Sequence, residues 1–285
     1  MKWQGRRRSR NIEDRRAGRG AGGTKAGLGG VGLLIVLAIG YFAGIDVTPL
    51  LEGQGSGLGG NPGGAEITEA DRQAGNFVSV TLADTEDVWT AVFAEQVGQA
   101  YHPVTLVLFK DVTQSACGGA SGATGPFYCP ADGKIYLDTA FFTTMRRQLG
   151  ARGDFAEAYV VAHEVAHHVQ DELGILGDAN RLRAQVSEVE SNAISVRIEL
   201  QADCYAGIWA RAAQDRLGTV EPGDLDEALH AAQQIGDDTL QRNAGRVVMP
   251  HTFTHGTSAQ RQRWFAKGFD SGDMRTCDTF GTNRL

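Results

Sequence analysis

His163-Glu164-Val165-Ala166-His167 constrains this chain more than any other five residues. On a helix, residues four apart stand one above the other, roughly 6 Å apart at Cβ. His163 and His167 can then turn two imidazoles toward one zinc ion, and Glu164, about 100° further round, brings a carboxylate beside it. Zinc lowers the pKa of its bound water, and the glutamate takes the proton as that water attacks a peptide carbonyl. The motif requires a helix, and its neighbours supply one. Residues 154–174 read as a single helix, with Asp154 and Glu157 as a capping-box-like start and Gly174 as a C′ stop. Phe155, Ala158, Ala162, Val165, Ala166 and Val169 form its apolar stripe. His168 points away from the pair and reads as an ordinary, partly exposed histidine.

Such a site needs a third protein ligand that leaves the fourth position to water. Residues 195–211 read as a second long helix, on which Glu199 and Asp203 share one face among Ala202, Ala206 and Trp209. Two acids among apolar neighbours need a task. Glu199 is assigned as third ligand. Asp203 is assigned behind it, accepting a hydrogen bond from a ligand imidazole, so that Asp203→Asn weakens the metal site without unfolding the domain. The plain alternative pairs Glu199 with Arg197 or Arg211 on a solvated face. Cys204 is rotated away from Glu199.

HEVAHHVQ, SVRIELQADCYAGIWA, the opening MKWQGRRRSRNIEDRR and the late THGTSAQRQRW together resemble the bacterial putative neutral zinc metallopeptidase family. The resemblance runs over essentially the whole chain. That family's metal site is similar to that of the Glu-zincins, with E-x-x-x-D supplying a ligand and an aspartate behind it. The resemblance implies Zn2+ as cofactor, His163, His167 and Glu199 as ligands, Glu164 as general base, and a protein or peptide substrate. All four positions match, and no particular substrate is implied.

The net charge of −7 conceals an asymmetry: residues 1–25 carry nine Lys/Arg against Glu13 and Asp14, a net of +7, which leaves −14 for the remainder. An acidic main body argues against a nucleic-acid partner. From Ala26 to Ile45 run 20 uncharged residues, long enough to span a bilayer core as a helix. The basic flank ahead of them predicts a single-pass cell-membrane protein, with a cytoplasmic N-terminus and the catalytic domain outside. A signal peptide cleaved near Ala38-Ile39-Gly40 is the alternative. The expected division is therefore a basic cytoplasmic leader (1–25), a transmembrane helix (26–45), a glycine-rich linker (46–70) and a metallopeptidase domain (71–285).

Within that domain residues 85–97 read as a helix, 104–109 and 134–138 as strands, and 139–149 as a helix. Helix, strands, motif helix and glutamate helix in that order predict an α+β, zincin-like fold. In the folds it resembles, an edge strand beside the zinc binds extended substrate, and residues 134–138 are the candidate. Four cysteines in an exported domain suggest disulfides, with Cys117–Cys129 closing a short glycine-rich loop and Cys204–Cys277 as the remaining pair. Thr257 and Gln260 predict a capping box. His255, just before it, is a candidate catalytic donor to the oxyanion of the tetrahedral intermediate, although on residues alone a loop histidine satisfying local backbone is the stronger reading. His251 and His255 make a weak metal pair between Pro250 and Gly256, and His102 and His230 read as structural or exposed.

A zinc-dependent endopeptidase is the leading expectation. A zinc amidase acting on cell-wall peptides would share the chemistry. The rival from another class is a non-catalytic, zinc-stabilised envelope scaffold, which would need a fourth ligand and would have no need of Glu164.

Overall fold

The computed structural model describes residues 1–16, 67–121 and 125–285. The expected membrane span and all but the last residues of the expected linker lie outside them. Among the described residues, no helix is long and apolar enough to cross a membrane.

The chain opens with a short strand, β1 (Ile12–Asp14), followed by the long helix α1 (Glu69–Val92) and strands β2 (Thr105–Phe109), β3 (Val112–Ser115), β4 (Gly118–Ser121), β5 (Phe127–Cys129) and β6 (Lys134–Asp138). Helices α2 (Ala140–Thr144), α3 (Asp154–Glu172), α4 (Ile175–Arg183), α5 (Glu188–Ala212), α6 (Asp224–Gln234), α7 (Asp237–Asn243) and α8 (Ser258–Ser271) follow. The main sheet runs β1-β2-β6-β5, parallel except for β5, and β3 and β4 form a separate hairpin. The α+β class is as expected.

The leader is not a separate segment. Ile12, Glu13 and Asp14 pair in register with Leu106, Val107 and Leu108, so residues expected in a cytoplasmic leader form an edge of the domain's own sheet. Trp3 stacks edge-on against Phe77 of α1, with ring centroids 5.4 Å apart. The Met1 ammonium stands 2.6 Å from Asp154 and 3.3 Å from Asp224. This covering accounts for the missed first half of α1. Its start carries a capping box between Thr68 and Asp71, and its Phe-Val-Ser-Val-Thr-Leu run is buried on nearly every side. A helix covered all round has no amphipathic period to read.

Residues 134–138 were expected at a sheet edge. They form β6, which lies between β2 and β5. The edges are β1 and β5, and β5 is the one packed against α3. The hairpin β3–β4 was not foreseen, because its strands are four residues each and hold few apolar side chains, Val-Thr-Gln-Ser and Gly-Gly-Ala-Ser. Disulfides join Cys117 to Cys129 and Cys204 to Cys277, the two pairs favoured from the sequence. The first ties the hairpin to the end of β5. The second ties the C-terminal segment to α5.

The core lies between α1, α3, α5 and α8, with Trp89, Trp209, Tyr159, Phe155 and Phe265 buried in one cluster. Helices α5 and α8 touch backbone to backbone. A Cβ on Gly207 would stand 2.0 Å from the Phe265 carbonyl oxygen, and one on Gly268 would stand 1.8 Å from that of Cys204. Gly268→Ala must therefore push α8 off α5. It is expected to cost about 1–3 kcal/mol, as overpacking does, read as a lower midpoint in urea. An unchanged midpoint would mean that the two helices are not in backbone contact.

Candidate metal centre

Helix α3 begins with Gly153 at the N-cap, not Asp154, and Gly153 offers no capping side chain. Glu227, from α6, substitutes by accepting the Phe155 N–H at 3.1 Å. A Cβ on Gly153 would collide with that carboxylate at 1.9 Å, and its φ of 102° is one that glycine adopts freely. The helix then runs unbroken through the motif to Glu172, with Gly174 in the left-handed conformation just beyond. Helix α5 starts seven residues earlier than expected, at a capping box between Ser187 and Glu190.

Packed together, α3 and α5 bring the ligand atoms of His163, His167 and Glu199 within 4.8 Å of one another. His163 Nε2 lies 3.1 Å from Glu199 Oε2, and His167 Nε2 lies 3.5 Å from Glu199 Oε1. Glu199 has neither arginine of the plain alternative. Arg197 reaches the carbonyls of Thr279 and Thr282, while Arg211 pairs with Asp215.

The far nitrogens of both imidazoles are occupied, and this fixes their orientation. His163 Nδ1 stands 2.9 Å from Asp203 Oδ1, an ionic contact outside the alignment of a well-formed hydrogen bond. His167 Nδ1 lies 2.9 Å from Gln170 Oε1. Gln170 spends its amide N–H groups on the Ile198 carbonyl and on Gln201 Oε1, so its oxygen can only accept. His167 Nδ1 must therefore donate, and the Nε2 lone pair is left for a cation. Gln201 in turn donates to the carbonyl of Cys277, linking the metal pocket to the disulfide-tethered tail.

Asp203 has more to do than the sequence suggested. It is fully buried and accepts from Arg261 Nε at 2.9 Å, Arg261 Nη2 at 3.0 Å and the Tyr159 hydroxyl at 2.5 Å. Burial works against its charge, but Arg261 and His163 hold its pKa down at about 2. Burial also disfavours the charged form of His163, yet Asp203 and Glu199 raise its pKa. Two carboxylates, Glu199 on one side of His163 and Asp203 on the other, suit a divalent cation.

Glu164 is buried on the same helix, with no hydrogen-bond or ion-pair partner among the described residues, and burial raises its pKa. His255 approaches from the loop before α8, where the expected capping box of Thr257 and Gln260 is present. Its Nδ1 lies 3.3 Å from Asp237 Oδ1. Asp237 Oδ2 also accepts the backbone N–H groups of Thr254, His255 and Gly256, at 2.8, 2.7 and 3.0 Å. Partial burial counts against a charged His255, but Glu199 and Asp237 raise its pKa, as befits a side chain facing the carboxylate cluster.

Tyr159, Gln170, Asp237 and Arg261 escaped the sequence reading. Only Tyr159 and Gln170 carried a local signal, as polar residues at helical spacing from His163 and His167. His168 is corrected: it is buried, its Nε2 donating to the His102 carbonyl at 2.7 Å and its ring packed against Tyr101 and Tyr128. His102 is exposed and pairs with Glu172, and His230 is exposed. His251, also exposed, joins no cluster of metal-binding groups among the described residues.

A family model described as "Putative neutral zinc metallopeptidase" matches residues 1–280. The Escherichia coli (strain K12) protein YpfJ is 47% identical over 288 residues, covering 99% of each chain. The Mycobacterium tuberculosis (strain H37Rv) protein Rv2575 is 42% identical over 222 residues, covering 74% of each. Both relatives bear the description "uncharacterized protein". No solved structure matches. The chain belongs to this zinc metallopeptidase family.

Proposed function

We propose that this family member hydrolyses peptide bonds, with His163, His167 and Glu199 holding zinc, Glu164 as the proton-transferring base and His255 as oxyanion donor. The observation that carries the reading is the convergence of three ligand atoms beside a buried carboxylate that no other side chain claims. When bound there, zinc lowers the pKa of water toward neutrality and polarises the scissile carbonyl. Glu164 accepts the proton that the attacking water gives up and passes it to the leaving amine. Its raised pKa favours the first of these transfers, onto the carboxylate. Asp237 holds the loop that carries His255 and leaves Nε2 of that ring to donate to the developing oxyanion.

The scaffold alternative loses ground here. The metal-binding group has three members among the described residues, and a structural site takes a fourth. The proposed setting is the outer side of the cytoplasmic membrane. Two disulfides support it, since such bonds persist in oxidising compartments.

Elemental analysis of the purified chain tests the ligand set. Stoichiometric zinc is expected, and His167→Ala and Glu199→Ala should each lose it. A Glu199→Ala protein that kept full zinc and full peptidase activity would remove Glu199 from the site.

A further inference from the structure

We infer that residues 1–16 and the catalytic domain occupy the same side of the membrane, because the leader is a built part of the domain rather than a cytoplasmic tail. Asp84 and Glu86 sit in the middle of α1 at 1% and 8% exposure. Burying carboxylates without partners is prohibitively costly, and their partners come from the leader. Arg6 Nη2 donates to Asp84 Oδ1 at 2.8 Å, and Arg7 Nη1 donates to Glu86 Oε2 at 2.8 Å. Ser9 and Asn11 donate to Glu86 Oε1, at 2.5 and 2.8 Å.

Backbone pairing adds a second, independent tie. The Leu106 N–H donates to the Asn11 carbonyl and the Arg15 N–H to that of Leu108, each at 2.8 Å, which secures β1 along β2. Arg16 then crosses α1 at Gly75, where a Cβ would come within 2.5 Å of the guanidinium. The glycine there is what lets the arginine lie flat against the helix.

The leader's charge thereby acquires another role. Arginines that read as a signal retaining the N-terminus in the cytoplasm are the counterions of acids on α1. Arg16 and Ile67, on either side of the segment 17–66, both belong to the domain. A single crossing by residues 26–45 would put β1 and β2 in different compartments, where they cannot pair. The arrangement with leader inside and domain outside is therefore replaced by one in which both share a compartment, the oxidising one if the disulfides form in the cell.

Two measurements on the full-length chain test this. Arg10 and Val247 are both exposed, Val247 at 80%. Arg10→Cys and Val247→Cys variants, treated in intact cells with a membrane-impermeant maleimide, should label alike: both react, or both are protected until lysis. One site labelling while the other stays protected would overturn the inference. The docking itself is tested by charge exchange. Arg6→Asp should lower the Tm by about 5 °C, and adding Asp84→Arg should recover part of that loss. An unchanged Tm in Arg6→Asp, or no recovery in the exchanged pair, would mean that the leader is not seated on α1.

Discussion

Glu164→Gln is expected to lower peptide-bond hydrolysis by about 10²–10⁴-fold, the range a positioned general base supplies, while zinc stays bound. The amide keeps the shape of the carboxylate and cannot take a proton. His163, His167 and Glu199 are untouched by the change, since Glu164 makes no hydrogen bond to any of them. The measurement is paired: zinc content by elemental analysis, and cleavage of an unbiased peptide mixture followed by mass spectrometry, with the unaltered protein alongside. Equal cleavage by the two proteins would end the peptidase reading, and the metal pocket would then need a structural explanation. Loss of zinc together with activity would instead show that Glu164 shapes the pocket rather than moving a proton.

The second large effect is expected at Asp203, and it differs from what the E-x-x-x-D spacing alone implied. Asp203→Asn removes the charge opposite Arg261, which is itself 2% exposed and has no water to turn to. Breaking a buried pair from one side costs about 3–5 kcal/mol, so the denaturation midpoint should fall sharply, even without metal. Zinc affinity should fall as well, by about 10–100-fold, because His163 loses the carboxylate behind it. Replacing both partners, as Asp203→Asn with Arg261→Met, should recover part of the stability and none of the zinc affinity. That separates the two duties of the residue. An Asp203→Asn protein as stable as its parent would show that Arg261 does not depend on this carboxylate.

How much of this was legible follows the range of the interaction responsible. His163, Glu164 and His167 lie within one helical turn, and Glu199 and Asp203 within another, so helical geometry alone aligned each set. The capping box at Thr257 and the stop at Gly174 are local in the same sense and appear as read. The two disulfides were reached differently: once the short loop had claimed Cys117 and Cys129, Cys204 and Cys277 were left. Strand order was out of reach, because residues 134–138 look the same at an edge as in the interior of a sheet. A strand covered on both sides differs from an edge strand only in what its neighbours contribute.

The N-terminal arginines show the limit most clearly. A basic run ahead of an uncharged stretch has one meaning when the chain is read in order and another once Asp84 and Glu86 are known to be buried beneath it. Likewise Arg261 reaches Asp203 across 58 residues, and Asp237 reaches His255 across 18. Sequence alone determined the metal motif, the helices that bear it and the family likeness, since periodicity and capping act over a few residues. Only the tertiary structure decided what orients the two imidazoles, what neutralises the buried acids and where the leader lies, because those contacts depend on which surfaces meet when the helices pack.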